Sequence, residues 1–588
     1  MADRSPLKID ISSEPPVPPI AAAFLVNFDH RKGYTLVWHR SIDEAQVEGV
    51  VEFKSLPSGL HNVEEDLVYF IHDKYSGLSA FINKPDGQSE RAARMLAVGV
   101  LVPLEFGRTG RSWRHAEALQ ALARSQIDNV QDTTALEEYW GKYRLRPDER
   151  PEQEQVHSEY PGHSATRQPA NGYRKSRSMS TATTFLPSHH TLTPHHPALT
   201  LLDSADIFGP LLFPLYRAAL LRKRILIVAD TPVQSSCNLV YNMSILSSVS
   251  KALLEFLPSG DTPSLWLRPL FTVGVGDIPE LETTKSSPTS VSIAEDNWIA
   301  CTTDDVLSTK PQLYDVLVLM PPSESNNAAT KVFPKMVLSS PELTKSFPKV
   351  GIKSTQRDFQ RFVRLQQGLL QFRPSKTAIN GSLENGAEGR PPLSSRRSSF
   401  SANKAVVEPA SWSRMAYTSL VWWASAGDRR GGLVETEEAE NEQDLALLSY
   451  EDDSDSEQTR EVALVAYFHR LTEIIFQTVA EAIARSDGTR SAPESSYHDD
   501  DNNDNTESIY EETVQRRASS EGEETQGLLA DPADNGEVEI TPEDMAAMGL
   551  DSWSASDRAF VEELVRLWWG RKAVVRPTSI ECCGLRIY

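Results

Sequence analysis

The segment from Leu265 to Pro322 constrains the fold more than any other part of the chain. It contains two apolar, strand-like runs, Leu270–Val275 and Tyr314–Met320, which are typical of strands buried on both faces of a sheet. Between them, the strand-like sequence WIAC is followed by the hydroxyl and acidic side chains of Thr302–Asp305. Polar groups at the ends of strands in an α/β sheet usually lie at the edge where ligands and partners bind. The segment therefore predicts an α/β sheet with a binding edge.

Acidic side chains dominate the charge of the chain, but they are concentrated in two segments. The 588 residues carry a formal net charge of −23. Residues 426–460 and 486–551 hold 31 of the 82 acidic residues and 6 of the 59 basic ones, so the remainder is close to neutral. A nucleic-acid-binding protein would present a basic face, and we therefore expect no nucleic-acid partner. The acidic segments themselves have the composition of disordered insertions.

Hydrophobic periodicity divides the rest of the chain into two α/β modules. The first has strands followed by two short helices, and the second begins with a buried strand at Ile225–Ala229 and a helix at Ser236–Phe256. Further helices carry apolar stripes that must be covered, which favours one discontinuous second module. The expected order is a disordered tail at 1–19, an α/β module at 20–146, a disordered linker at 147–197, an α/β core at 198–373, a disordered loop at 374–408, a helix at 409–425, an acidic disordered insertion at 426–460, a helix at 461–485, a second acidic disordered insertion at 486–555, and a C-terminal helix with a docked tail at 556–588.

Cysteine usage and the N-terminus predict a cytoplasmic protein. The four cysteines, which have neither zinc-site nor disulfide-framework spacing, are Cys237, Cys301, Cys582 and Cys583. The first residues lack the apolar core of a signal peptide. No uninterrupted apolar run reaches the roughly 18 residues of a membrane-spanning helix. We expect no transmembrane segment and at most peripheral membrane association.

No pattern in the sequence predicts catalysis, a cofactor or a metal. Gly274 and Gly276 follow a strand, but the third glycine of a dinucleotide loop is missing and a strand-end turn is the better interpretation. The phosphate-binding GxxxxGK[ST] pattern, HExxH and GxSxG do not occur. Four histidines between His189 and His196 lie in the linker without cysteine or carboxylate companions, as in a solvated low-complexity tract. We therefore expect no catalytic, cofactor-binding or metal-binding residues.

Polar residues next to the predicted strands are the candidates for contact with a protein partner. Thr302–Asp305 has oxygen groups that could bind a metal, but a helix N-cap formed by Thr303 or Asp304 is favoured, with partner contact as a secondary use. Trp298 is either an interface anchor or part of the core. With Asp277, which follows another strand, the candidate interface residues are Asp277, Trp298, Thr303 and Asp305.

Three serines in the segments expected to be disordered are candidate phosphorylation sites. Each follows an arginine three residues earlier, and they are Ser180, Ser399 and Ser519. Basophilic kinases use such patterns where the chain is accessible, although short patterns also recur by chance. The prediction is that at least one is phosphorylated.

Several segments together resemble the DENN-domain proteins, in the LCHN-like branch. The resemblance rests on FLVNFDHRKGYTLVW, LPSGLHNVEEDLVYFIHD, RAARMLAVGVLVP, LLRKRILIVADTPV, LFTVGVGDIPEL and WIACTTDDVL…LYDVLVLMPP, which occupy Phe24–Trp38, Leu56–Asp73, Arg91–Pro103, Leu220–Val233, Leu270–Leu281 and Trp298–Pro322. It implies a longin-like N-terminal module (upstream DENN) followed by a DENN α/β module.

The resemblance also implies a function. Family members bind small GTPases of the Rab class, and many act as guanine nucleotide exchange factors in membrane trafficking. Such a regulator uses no covalent catalysis, because it works by binding the nucleotide-free GTPase more tightly. The alternative is a scaffold or adaptor that keeps the fold and binds a GTPase or another protein without exchange. The expected location is cytoplasmic, peripheral on trafficking membranes.

Overall fold

The structure is a computed structural model, in which sixteen separate stretches of the chain are described. These are residues 17–29, 31–56, 58–85, 93–146, 194–258, 262–283, 297–322, 331–339, 350–370, 406–409, 414–415, 433–448, 460–491, 537–576, 581–582 and 585–586. They form an α/β fold with one large mixed sheet and helices packed around it, and the predicted fold class is confirmed.

The first five strands form an antiparallel half of the large sheet. Their order across the sheet is β3-β4-β5-β1-β2, and their bounds are β1 (Ala22–Asp29), β2 (Gly33–Ser41), β3 (Glu65–His72), β4 (Tyr75–Pro85) and β5 (Ala93–Pro103). Short strand-to-strand turns suit antiparallel pairing, and Asp29 closes the first of them by accepting the N–H groups of Arg31 and Lys32. Helices α2 (Ala116–Gln126) and α3 (Thr134–Tyr143) belong to this half, where α2 packs on β4 and β5 and α3 contacts β1.

The second half of the sheet is built on four parallel strands. The order continues as β7-β8-β6-β9-β10-β11, with β6 (Ile225–Val228), β7 (Arg268–Thr272), β8 (Trp298–Thr302), β9 (Val316–Leu319), β10 (Lys335–Leu338) and β11 (Val350–Ile352). Strands β7, β8, β6 and β9 are parallel neighbours, whereas β10 and β11 are antiparallel. Parallel pairing brings the carboxyl ends of β6–β9 to one edge of the sheet, which we call the carboxyl edge.

The two halves share one continuous sheet of eleven strands. Strand β3 pairs antiparallel with β7 through Phe70 and Phe271, next to a register shift in β7 at which Phe271 has a φ of +60°. Tyr69 packs on the Phe271 ring with centroids 5.5 Å apart. Buried side chains from both halves also belong to one hydrophobic cluster. The two expected modules are therefore joined by both backbone pairing and a common core.

Helices cover this sheet and each other. Their bounds are α1 (Val51–Lys54), α4 (Leu201–Phe208), α5 (Leu212–Leu220), α6 (Gln234–Leu246), α7 (Ile278–Thr283), α8 (Asp305–Ser308), α9 (Gln356–Leu369), α10 (Leu433–Leu448), α11 (Arg460–Ser491), α12 (Pro542–Ala547) and α13 (Ala555–Trp569). Helix α6 packs on β3, β7 and β8, at the junction of the two halves. Helix α9 begins at a capping box, in which Thr355 and Asp358 accept each other's backbone N–H groups. Short strands β12 (Val538–Ile540) and β13 (Ala573–Val575) pair with each other, as do β14 (Glu581–Cys582) and β15 (Leu585–Arg586).

The expectation of disorder across both acidic segments is wrong for part of each. Helix α10 lies inside 426–460, where Leu447 and Leu448 are buried. Strand β12 and helix α12 lie inside 486–555, where Val538 and Met545 have no exposed surface. These residues are ordered because apolar side chains interrupt the acidic runs and join the core. The helix predicted at 409–425 lies almost wholly outside the described residues.

Candidate functional site

Three short segments meet at the carboxyl edge, and each has a different origin. The loop after β7 contains Val275 and Asp277, the loop after β8 contains Thr303 to Asp305, and helix α1 comes from the antiparallel half. Two polar contacts hold these segments together. The edge is therefore built by both halves of the molecule.

Asp277 links the loop after β7 to helix α1. One carboxylate oxygen accepts the N–H of Gly274 at 2.8 Å, and the other lies 2.8 Å from Lys54 Nζ. Lys54 also donates to the carbonyl of Ile71 at 2.9 Å. The side chains of Lys54 and Asp277 are 17% and 11% exposed, so most of this ion pair is shielded from water. Asp277 is thus a structural link between the halves as well as a residue of the edge.

Asp304 links the loops after β7 and β8. It occupies the N-cap position of α8, as the sequence predicted, but it makes no side-chain hydrogen bond to that helix. Its carboxylate instead accepts the N–H of Val275 at 3.3 Å, and its own N–H donates to the Thr302 hydroxyl at 3.1 Å. The expected N-cap hydrogen bond is therefore replaced by a contact between loops.

Of the other candidates, the structure places two at the edge and one elsewhere. Asp305 is exposed and begins α8, and Thr303 beside it is half-buried with no hydrogen-bond partner for its hydroxyl among the described residues. Trp298 has no exposed surface and begins β8, about 13 Å from the carboxyl end of that strand at ~3.3 Å per residue. The proposed role of Trp298 as an interface anchor is wrong, because a side chain in the core cannot contact a partner.

Three exposed apolar side chains on the linked segments were missed by the sequence analysis. Phe53 on α1 is 68% exposed, and Val275 and Val306 are each 50% exposed. Phe53 precedes the lysine of the ion pair, Val275 donates its N–H to Asp304, and Val306 follows Asp305. We call these three residues with Asp305 the edge patch. An isolated valine or phenylalanine in a short segment gives no signal that it will be exposed, so the sequence could not single them out.

A buried carboxylate next to this edge fastens the two halves. Asp66 on β3 accepts the N–H groups of Val233 at 2.6 Å, Gln234 at 3.1 Å and Leu67 at 2.8 Å. Burial raises the pKa of Asp66 to about 6, although the three hydrogen bonds favour its ionised form. Nearby, Thr231 donates its hydroxyl to the carbonyl of Gly59 at 3.2 Å. These contacts fix the start of α6 against the antiparallel half.

The remaining expectations concern metal binding, membrane-spanning helices and phosphorylation. Within the described residues, no group of three or more histidine, cysteine or acidic side chains has an arrangement that could hold a metal. One helical stretch there, Pro197–Leu220, is long and apolar enough to cross a membrane, but 67% of its apolar 18-residue window is buried inside the protein, as in a core helix. Ser180, Ser399 and Ser519 lie outside the described residues, and their phosphorylation stays a prediction.

Comparison with known proteins identifies relatives of both parts of the chain. The family model of DENN domain-containing protein 11 matches residues 23–330, and a domain of unknown function (DUF4484) matches residues 407–588. The chain is 33% identical over 304 residues to DENN domain-containing protein 11 of Xenopus laevis, covering 51% of this chain and 59% of that relative. The Rattus norvegicus protein of the same name is 32% identical over 307 residues, covering 51% and 57%.

A fungal relative extends the similarity to most of the chain. The uncharacterized protein ANR2 of Saccharomyces cerevisiae is 24% identical over 494 residues, covering 80% of this chain and 84% of its own length. The match to the animal relatives, in contrast, spans somewhat more than half of their length. Because the first family model covers half of the chain and includes strands from both halves of the sheet, the chain belongs to the DENN domain family, as the resemblance predicted.

Proposed function

We propose that this protein binds a small GTPase of the Rab class through the edge patch and accelerates release of its GDP. The observation that carries the proposal is the position of the patch in a DENN-family chain. Three exposed apolar side chains lie on segments from both halves of the sheet, and two polar contacts fasten those segments. Exposed apolar groups rimmed by polar residues mark protein interaction sites.

The physical chemistry of the edge suits a protein partner. Apolar anchors contribute most to binding when a polar rim excludes water around them. Asp305 is the exposed charged residue of the edge patch and supplies negative charge at its rim, which would steer a basic surface of the partner toward it. Exchange then requires only that the edge bind the nucleotide-free GTPase more tightly than the GDP-bound form, because that difference lowers the affinity for GDP by the same factor. We place this activity in the cytoplasm, on the surface of trafficking membranes.

Capture and exchange assays with a panel of Rab GTPases test the proposal. The full chain is expected to retain at least one nucleotide-free GTPase and to accelerate release of a fluorescent GDP analogue from it. If the protein captures a GTPase without accelerating release, the adaptor alternative replaces exchange. If no member of the panel binds preferentially without nucleotide, the proposal is wrong.

Matched variants assign the binding to the edge patch. Val306→Asp places a charge within the patch, and we expect it to weaken capture by about tenfold or more. Val574→Asp is the control, because Val574 is 40% exposed and lies on β13, outside the large sheet. Equal effects of the two substitutions would show that the patch is not the contact.

The two acidic candidates are expected to behave differently. Asp305→Lys changes an exposed charge and should slow association while leaving stability unchanged. Asp277→Lys would put two lysines together at the link to Lys54, so its effect on capture would report damage to the fold. Unchanged stability of Asp277→Lys, measured by thermal unfolding, would contradict its role as a link.

A further inference from the structure

A large cavity lies at the start of β7, where the two halves join. Its volume is about 860 Å³, which is within the range of small-molecule sites. Residues at the end of β3 and after β5 form one wall, and residues between α6 and the start of β7 form the other. None of the four edge-patch residues lines this cavity.

The cavity has an apolar surface provided by both halves. Leu104 comes from the antiparallel half, and Leu265 and Trp266 come from the segment before β7. Trp266 is 46% exposed, and the guanidinium of Arg108 lies 5.5 Å from its ring centroid. This cation–π contact joins the two walls and holds the indole at the cavity. Such a surface suits the hydrocarbon or aromatic body of a ligand.

Three cationic side chains line the same cavity, against one acidic side chain. Arg108 donates to the carbonyl of Ser244 at 3.0 Å and to the hydroxyl of Ser248 at 2.9 Å, so its guanidinium is fixed in place. Lys251 and Arg268 are exposed at the lining, and Asp73 is the single carboxylate there. The lining therefore has an excess of positive charge beside an apolar surface.

We propose that this cavity binds an anionic amphiphile, a small molecule with one apolar body and one phosphate or carboxylate group. The apolar body contacts Trp266 and its aliphatic neighbours, and the acidic group accepts hydrogen bonds from Lys251 and Arg268. Charge-assisted hydrogen bonds of this kind are stronger than those between neutral groups. Because both walls contribute, the bound ligand fastens the two halves of the sheet together and stabilises the folded protein.

Calorimetric titration of the full chain with three probes tests the chemistry. Decyl phosphate, below its micelle concentration, is expected to bind at one saturable site and to raise the melting temperature. Decanol and inorganic phosphate, which each supply only one of the two features, are expected to bind at least tenfold more weakly. Equal binding of decyl phosphate and decanol would overturn the assignment of an anion site. Binding that occurs with anionic vesicles and not with monomeric decyl phosphate would show a membrane surface contact and would also overturn it.

Variants locate the site. The double variant Lys251→Gln/Arg268→Gln should weaken decyl phosphate binding by about tenfold, because two exposed charge contacts are lost, and should leave decanol binding unchanged. Lys32→Gln/Lys335→Gln is the matched control, since both lysines are exposed and lie outside the lining of this cavity. Trp266→Ala should weaken binding of both amphiphile and alcohol. If the first pair and the control pair have the same effect, the cavity is not the site.

Discussion

Asp444 allows the most direct test of how the C-terminal helices are held. It lies on α10, within a segment that the composition identifies as a disordered insertion, yet its side chain is only 1% exposed. Arg357 donates to its two carboxylate oxygens at 2.8 and 3.2 Å, and Arg361 donates to it at 3.0 Å. Both arginines are on α9 and are 4% and 2% exposed. One carboxylate thus accepts hydrogen bonds from two buried cations.

The loss of stability caused by an Asp444→Ala substitution depends on the contacts that the two arginines keep. The two guanidinium groups would stay buried without this carboxylate, and removing one partner of a buried ion pair costs about 3–5 kcal/mol. Arg357 keeps an ion pair with Glu440 at 3.4 Å, whereas Arg361 keeps only its 3.0 Å hydrogen bond to the carbonyl of Gly549, which does not neutralise its charge. We therefore expect the free energy of unfolding to fall by about 3–5 kcal/mol, and Asp444→Asn, which keeps one acceptor, to have a smaller effect.

Urea-induced unfolding, followed by circular dichroism, measures this loss, and hydrogen exchange locates it. Amide protection should decrease first in α10, since that helix depends on the contact with α9. Glu442→Ala is the control on the same helix, because Glu442 is exposed and should change stability by less than about 0.5 kcal/mol. A loss below about 1 kcal/mol for Asp444→Ala would refute the idea that this carboxylate anchors α10.

Three other substitutions test the core, a close backbone approach and a buried histidine. Leu226→Ala should lower the free energy of unfolding by about 2–5 kcal/mol, since Leu226 has no exposed surface, and a urea-unfolding loss under about 1 kcal/mol would contradict its burial. Gly549→Ala should destabilise more than Gly570→Ala in thermal unfolding: both have a φ near +65°, but a Cβ at Gly549 would lie 2.5 Å from Arg361 Nη2, whereas Gly570 faces open space. Burial lowers the pKa of His469 to about 4, so the unfolded chain takes up a proton between about pH 6.5 and 4 while the folded protein does not. Relative to His469→Gln, the protein should lose up to about 1.4 kcal/mol per pH unit as the pH falls through that window, and parallel urea midpoints across the window would refute it.

The central strands and the position of the edge could be predicted because the signals are local. Ile225 to Val228 is a continuously apolar run with a helix after it, and it forms a buried strand followed by a helix. Thr302 to Asp305 follows another such strand, so the geometry of parallel strands places it at the carboxyl edge. Both inferences need only neighbouring residues and the general rules of α/β sheets.

The composition of the edge could not be predicted because it depends on contacts between distant parts of the chain. Lys54 and Asp277 are far apart in sequence, and nothing in either segment indicates that they pair. Without that pair, Phe53 cannot be assigned to the same surface as Val275. The prediction that Trp298 contacts a partner was wrong for a different reason. Trp298 begins β8, and the start of a strand lies at the opposite end from the polar groups that follow it.

Contacts between residues far apart in sequence also join the C-terminal region to the rest of the molecule. Arg217 on α5, within the region matched by the first family model, donates to both carboxylate oxygens of Asp358 at 2.8 and 2.6 Å. It also lies 3.3 Å from Asp557 on α13, within the region matched by the domain of unknown function. Arg217 and both carboxylates are buried, so separating the regions would uncover charges that now neutralise one another. The two family regions therefore pack against each other and share one hydrophobic core.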